Sequence, residues 1–484
     1  MSGQNPRQIA AQVLQQRRAP GGDFTENLLD RAFQSCASPA ANRGKSGTQT
    51  PAALAGEGEL SAADRGLCRE LVAGVVRWQA TLDWLIARKT EGRKQKPLLQ
   101  ELLRLGLYQI FWLDRIPPHA AVNETVELAR LNGFGARAGF VNALLRAYLR
   151  EAEPTRRRLA ELRISDPAAG FSHPRWLVEK WRKLFGDDRA RQLLEWNNQP
   201  PRTFARVNRL KFDSPSGSQR APAHQSSHDV RDVLPLGPAE ILGHTGDLLA
   251  RWRQENVQYD LVRRDWLEEN LVFELTSHPP LASLPSFQDG GFYLQDPGTL
   301  LAPALLGAQP GESILDFCAA PGGKTTYLAQ MMRNRGRIVA QDVSKERLKL
   351  IEENCRRLGV TCVELVLHST PGRPASTFDR ILVDAPCSNT GVMRRRLDLR
   401  WRIRPDEISR LQRTQLQLLR QAAAALKPGG VIVYSTCSLE PEENSEVVKS
   451  FLAEPGGFEL DQERTLLPFS DGVDGAYVAR LTRS

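Results

Sequence analysis

No stretch of this 484-residue chain approaches the ~20 consecutive apolar residues that a membrane span requires, so no membrane partner is expected. The opening residues, MSGQNPRQIAAQVLQQRRAP, lack the apolar core of a secretory signal. Cysteines are few: seven, with no C-x-x-C spacing, which leaves neither a disulfide framework nor a zinc or redox pair. No metal is expected, and a reducing cytoplasm is the simplest compartment. Acidic residues are outnumbered. Lys and Arg total 65 against 56 Asp and Glu, a net charge of +9 with a pI near 9.3. That balance favours polyanionic partners, nucleic acid first, although many basic proteins bind none. A hydrophobic fraction of 41% is ordinary for a globular chain, and the length predicts two or three domains.

Strand patterns are missing from the first ~160 residues. Residues 5–35 read as helical, and Ser35 to Ser61, rich in Ala, Gly, Ser, Thr and Pro, reads as a loop. Helical spacing resumes at Asp64 with Leu67, Leu71, Val75 and Val76, and returns over Leu98–Leu113, Val122–Leu131 and Phe140–Leu149. An all-α bundle over residues 1–165 follows. From Pro200 the pattern changes. Thr203–Leu210, Leu271–Leu275 and Gly291–Leu294 read as strands, and 213–229 as a polar loop, so residues 166–300 are expected to hold linker helices and a small α+β unit. From Gly311 strands and helices alternate: strands at Ser313–Phe317, Arg337–Gln341, Val363–Leu367, Arg380–Val383 and Val431–Tyr434, with helices between. This predicts a doubly wound, Rossmann-like α/β domain over 301–484, with ligands beyond the carboxyl ends of its strands.

Every chemically suggestive segment sits at such an end. DFCAAPGGKTTYLAQ, Asp316 to Gln330, follows a strand and opens a helix, and its small residues let a ligand approach the backbone. A phosphate-binding P-loop is the competing reading, but that pattern demands Gly where Cys318 stands and Pro321 falls inside the loop. Asp342 ends the next strand, where an acid can accept from both ribose hydroxyls. Alone it would more often be a helix N-cap, but its place one β-α unit after the glycine turn favours ligand contact. DAPCSNTG (Asp384 to Gly391) and YSTCSLEPEEN (Tyr434 to Asn444) each put a cysteine just past a strand of the same sheet. Lone cysteines are usually inert core residues, and Cys318, Cys355 and Cys362 are read so. Cys387 and Cys437, in polar turns beside an acid, are read as functional.

In this order these segments resemble motifs of the RNA 5-methylcytosine methyltransferases. YLQDPG, RVNRLK at Arg206–Lys211 and SHPRWLVEKW at Ser172–Trp181 are similar to the bacterial 16S rRNA branch of that family. AAVNETVELAR and GFVNALLRAYLR make the N-terminal region resemble the RNA-binding NusB family. The resemblance implies that S-adenosyl-L-methionine is bound by Cys318, Ala319, Ala320, Pro321, Gly322, Gly323 and Lys324, with Asp342 on the ribose and Asp384 at the edge. It implies that Cys437 is the nucleophile, that Cys387 acts in product release and that Asp384 serves the ring. A covalent route suits the target, because carbon 5 of cytosine is a poor nucleophile until a thiolate adds at carbon 6.

One departure stands out. Where the family usually shows Gly-Asp-Ala after the third strand, with the Asp on the adenine amino group, this chain has LVLHST, leaving Glu364, His368 or a backbone group as substitutes. Arg394, Arg395, Arg396, Arg400, Arg402 and Arg404 follow the first cysteine motif and are expected to line the RNA entrance. RNA is the expected partner, 16S rRNA before or during small-subunit assembly, and a monomer is expected. A tRNA methyltransferase, or a NusB-like RNA-binding factor with a dead methyltransferase scaffold, are the alternatives.

Overall fold

Helix punctuation in the first two hundred residues falls where capping chemistry puts it. Asn5 accepts from the Arg7 N–H ahead of helix Pro6–Arg17, and Ser61 from the Asp64 N–H ahead of Ala62–Arg77. Proline opens the helices Pro97–Trp112 and Pro118–Ala129, where its missing N–H costs nothing. The computed structural model describes residues 5–19, 21–37, 60–212, 238–367 and 377–484. Most of the expected loop Ser35–Ser61 and all of 213–229 lie outside them.

Contacts divide the chain into two units, residues 1–199 with 396–402, and residues 200–395 with 403–484. The first is helical, as expected. Pro97–Trp112 is its central helix, with Leu99, Leu102, Leu103, Leu105, Leu107 and Ile110 all buried. Truncating one of these leucines to Ala would cost ~2–5 kcal/mol. Gly74 faces this helix where a Cβ would overlap the Tyr108 ring, so only glycine fits.

Residues 396–402 complete this helical unit from far along the chain. The buried Asp398 carboxylate accepts from the Arg17 guanidinium and from the Thr25 N–H at 2.7 Å. Buried Arg400 donates to the carbonyls of Arg77, Ser172 and Asn197 and to Asn198 Oδ1, at 2.8–3.2 Å. The Trp401 indole donates to the Val76 carbonyl, and Arg402 to that of Asp23 while covering the Phe24 ring.

The second unit holds two sheets. The smaller is antiparallel, β1 (Thr203–Val207), β2 (Gln258–Leu261), β3 (Val272–Ser277) and β4 (Phe292–Leu294), in the order β2-β3-β1-β4. The larger comprises β5 (Ser313–Phe317), β6 (Arg337–Asp342), β7 (Val363–Leu367), β8 (Phe378–Asp384), β9 (Leu426–Thr436), β10 (Phe458–Leu466) and β11 (Ala476–Arg483). Its order is β10-β11-β9-β8-β5-β6-β7, parallel from β9 to β7, with β11 antiparallel to both neighbours. Successive residues face opposite sides. Ile314, Ile338, Leu382 and Val433 enter one core, and Leu315, Val339, Ile381 and Ile432 the other. From β5 the chain runs outward through β6 and β7, then crosses back to β8. The strand order therefore reverses between β5 and β8, which opens a crevice at their carboxyl ends. No helix among the described residues is long and apolar enough to cross a membrane.

Candidate active site

Four strand ends supply the site. After β5 the chain turns through Cys318 (φ 69°) and Gly322 (φ 96°) into the helix Gly323–Met331. The turn is pinned from below, the Ala319 N–H donating to the Gln341 carbonyl at 2.9 Å and the Ala320 N–H to Asp342 Oδ2 at 3.2 Å. A Cβ on Gly323 would stand 3.1 Å from the Tyr293 ring, so the turn is held close to the small sheet. Arg206 of β1 makes that junction. Wholly buried between the Tyr293 and Tyr327 rings, it donates to the Gly323 carbonyl at 2.7 Å and to Thr326 Oγ1 at 2.9 Å. Burial brings its pKa down to about 10.

The remaining groups of the turn are spent on acids. Lys324 Nζ lies 2.6 Å from Asp384 Oδ2 at the end of β8, and Ser435 Oγ donates to Asp384 Oδ1 at 2.9 Å. Burial opposes the Lys324 charge, but Asp384 and the nearby Cys437 outweigh it and raise its pKa. Asp316, buried beneath the turn, accepts from Thr325 Oγ1 at 2.5 Å, and burial pushes its carboxyl up to about 7. Burial, with Asp384 and Asp342 nearby, pushes the Cys318 thiol up to about 12, which keeps it protonated and a poor nucleophile. Asp342, at the end of β6, is buried and also meets Arg347 at 3.2 Å, and Val343 beside it is 71% exposed.

Cys387 and Cys437 come together because β8 and β9 are adjacent and in register, Asp384 opposite Ser435. Their sulfurs are 3.3 Å apart. Asn389, in the left-handed conformation at φ 58°, touches both loops: Oδ1 accepts from Cys437 Sγ at 2.9 Å and Nδ2 donates to the Cys387 carbonyl at 2.6 Å. The hydrogen bond to Cys437, reinforced by burial, drives the Cys387 thiol pKa well above its ordinary value. Beneath the pair, Glu443 is buried among Ser388, Ser438 and Gln415. Sequence reasoning passed over Asn389 and Glu443, although both lie inside the quoted cysteine segments.

The arginine run departs from expectation. Arg394 and Arg395 pair with Asp296 and Asp474, Arg394 fully buried, while Arg400 and Arg402 are bound within the helical unit. These four are committed to acceptors within the protein. Their acceptors come from segments far away in sequence, and a desolvated guanidinium keeps them. Arg396 and Arg404 are exposed. Of the two side-chain stand-ins for the adenine contact, Glu364 lies on β7 opposite Val339 and pairs with Arg337 at 2.5 Å, away from the strand's carboxyl end. His368 lies outside the described residues. Among the described residues no cluster of His, Cys, Asp and Glu is placed to hold a metal.

Three family models match the chain: 16S rRNA methyltransferase RsmB/F over residues 303–482, the NusB family over 4–150, and the ferredoxin-like domain of RsmF/B-like methyltransferases over 173–220. The probable ribosomal RNA small subunit methyltransferase B of Bacillus subtilis is 35% identical over 414 residues, 83% of either chain. Its Escherichia coli O157:H7 counterpart is 35% identical over 442 residues, 88% of this chain and 92% of that one. Among solved structures, PH0851 superposes with a TM-score of 0.71 at 22% identity, covering 99% of both chains, a likeness of fold. A methyltransferase homolog protein from Pyrococcus horikoshii superposes with a TM-score of 0.53 at 31% identity, covering 66% of this chain and 98% of its own.

Proposed function

The chain belongs to the RsmB/F family of 16S rRNA methyltransferases, and from that footing we propose that it forms 5-methylcytosine in 16S rRNA through a covalent adduct on Cys437. The observation that carries this reading is the pair of thiols 3.3 Å apart beside the Lys324–Asp384 ion pair.

S-adenosyl-L-methionine is the proposed methyl donor, supplying an electrophilic methyl on a sulfonium. The donor set fits it. The Asp342 carboxylate at the end of β6 suits two ribose hydroxyls, the small-residue turn 318–324 leaves room for backbone contact, and exposed Val343 offers an apolar face to a flat base.

The Cys437 thiolate bonds to carbon 6, and the ring electrons move toward nitrogen 3. A proton passed from the Lys324 ammonium through the Asp384 carboxylate to nitrogen 3 neutralises the charge that develops there. Carbon 5, now electron-rich, takes the methyl. A solvent base then takes the carbon 5 proton, the electrons move back, nitrogen 3 gives up its proton and Cys437 leaves as a thiolate, with Cys387 acting at this second stage. The base must be unpaired or flipped out to present its face to a thiol. The helical unit is proposed to bind RNA through phosphate contacts, weakened by salt. Its family match to NusB, rather than the shared catalytic segments, favours rRNA over tRNA.

Bisulfite sequencing of total RNA from cells with and without this protein tests the reading. One protected cytosine in 16S rRNA, lost on deletion, is expected. Protection lost only in tRNA, or nowhere, overturns it.

A further inference from the structure

The Glu443 carboxylate accepts from both cysteine loops. Its Oε1 accepts from the Ser388 N–H at 2.8 Å and from Gln415 Nε2 at 3.1 Å. Its Oε2 accepts from the Ser388 hydroxyl and, at 2.5 Å, from the Ser438 hydroxyl. Ser388 immediately follows Cys387, and Ser438 immediately follows Cys437. Gln415 also donates to the carbonyl of Pro386, the residue before Cys387, and the Tyr434 hydroxyl holds the Glu443 carbonyl at 2.5 Å. All four donors to the carboxylate are neutral, and the side chain is wholly buried.

Burying a carboxylate without a cation is expensive, and packing alone would be served better by an apolar side chain. What a carboxylate offers is acceptor capacity for several donors at once. Here that capacity is divided between the residues that follow the two thiols. The loops are also tied directly, by the Gly391 N–H to the Cys437 carbonyl at 2.9 Å, the Leu439 N–H to Thr390 Oγ1 at 2.9 Å, Asn389, and the Ser438 hydroxyl, which lies 3.1 Å from that of Ser388 and 3.3 Å from that of Thr390; Glu443 is the acceptor on which the Ser388 and Ser438 hydroxyls converge.

We infer that Glu443 is the positioning residue that sets the separation of Cys387 and Cys437, and thereby lets a base bonded to one thiol be released with the help of the other. This rests on the covalent reading above. Glu443 touches no reacting atom. It acts through Ser388 and Ser438, so its loss acts first on the geometry between the sulfurs.

The test reads that geometry without RNA. Full-length protein is equilibrated with oxidised and reduced glutathione, and the Cys387–Cys437 disulfide is quantified by mass spectrometry. Two thiols lose two protons and two electrons to oxidised glutathione, which becomes two reduced molecules. The constant for this exchange is the effective concentration of the pair. Glu443→Ala is expected to lower it at least about tenfold, since hydrogen bonds to a charged acceptor are at stake. Glu443→Gln, which keeps one acceptor oxygen and donates to serine hydroxyls that can turn round, is expected to stay within about threefold of wild type. In the methylation assay Glu443→Ala should lower kcat, leave KM for the cofactor unchanged and raise the fraction of protein held on RNA. If Glu443→Ala fails to fold, the Ser388→Ala/Ser438→Ala double variant decides, with a loss of about threefold or more expected. An unchanged effective concentration in the folded variant overturns the inference. A lowered concentration with no covalent RNA in any variant, Cys387→Ala included, leaves the positioning intact and overturns the covalent reading instead.

Discussion

The sulfur of Cys387 lies 3.3 Å from the sulfur of Cys437, although 50 residues of chain separate them. Neighbouring parallel strands bring them together, and the loops beyond those strands close the remaining gap. At that spacing a single pyrimidine ring bonded to one sulfur stays within reach of the other, which is what an addition followed by an elimination requires.

The two thiols are expected to fail differently. Cys437→Ala should give neither methyl transfer nor a covalent complex. Cys387→Ala should form the complex and stall, leaving one protein joined to one RNA that survives denaturing electrophoresis and carries label from the cofactor methyl. Stalling by the Cys437 variant instead would exchange the two roles, and full activity in both would end the covalent mechanism.

Asp342→Ala is expected to weaken cofactor binding by roughly tenfold or more, the loss of hydrogen bonds worth ~1.5–3 kcal/mol. The same carboxylate holds the Ala320 N–H, so Asp342→Asn, which keeps an acceptor there, should lose less. Calorimetric titration of both variants measures this. Equal affinity in all three proteins would remove Asp342 from the site.

Asp316 predicts a pH dependence of stability. Its carboxyl is raised from 3.8 to about 7 by burial, so the folded protein keeps a proton there that the unfolded chain releases. The stabilisation is fully present below the unfolded value and is lost as pH rises through about 7. Asp316→Asn, neutral throughout, should show a flatter Tm between those two values, by a few degrees at ~2–4 °C per kcal/mol for a unit of this size. Parallel decline of variant and wild type would mean that the folded protein holds Asp316 ionised.

Asp398→Asn should destabilise the helical unit. It leaves the Arg17 guanidinium buried without its carboxylate, a change of ~3–5 kcal/mol. Amide hydrogen exchange in the helix Pro6–Arg17 is expected to accelerate, and unchanged protection there would show that the pair contributes little.

Much of this was legible in the chain. The parallel strands read as apolar runs, and every cysteine and glycine segment fell at a strand end as expected. β10 did not read. As the edge of its sheet it exposes most of FELDQERTL and carries no apolar alternation, so only pairing with β11 makes it a strand. Glu443 lay in plain view within EPEEN, but nothing local says that Glu440 and Glu443 turn inward while Glu442 does not. The arginines misled for the same reason. Asp474 lies 80 residues beyond Arg394, and Asn197 lies 203 residues before Arg400. Local pattern reads a charge and its neighbours in sequence, not the acceptor that folding brings to it.

Residues 396–402 also set a timetable. The helical unit begins at the start of the chain, yet the acceptor for Arg17 and the indole that caps Val76 are encoded roughly two hundred residues after Gln199. At ~5–20 residues per second a ribosome takes roughly 10–40 s to cover that distance. Throughout that interval the emerging helices carry a buried-to-be arginine without its carboxylate and an uncovered patch of core. The helical unit is therefore not finished until residue 402 has been made.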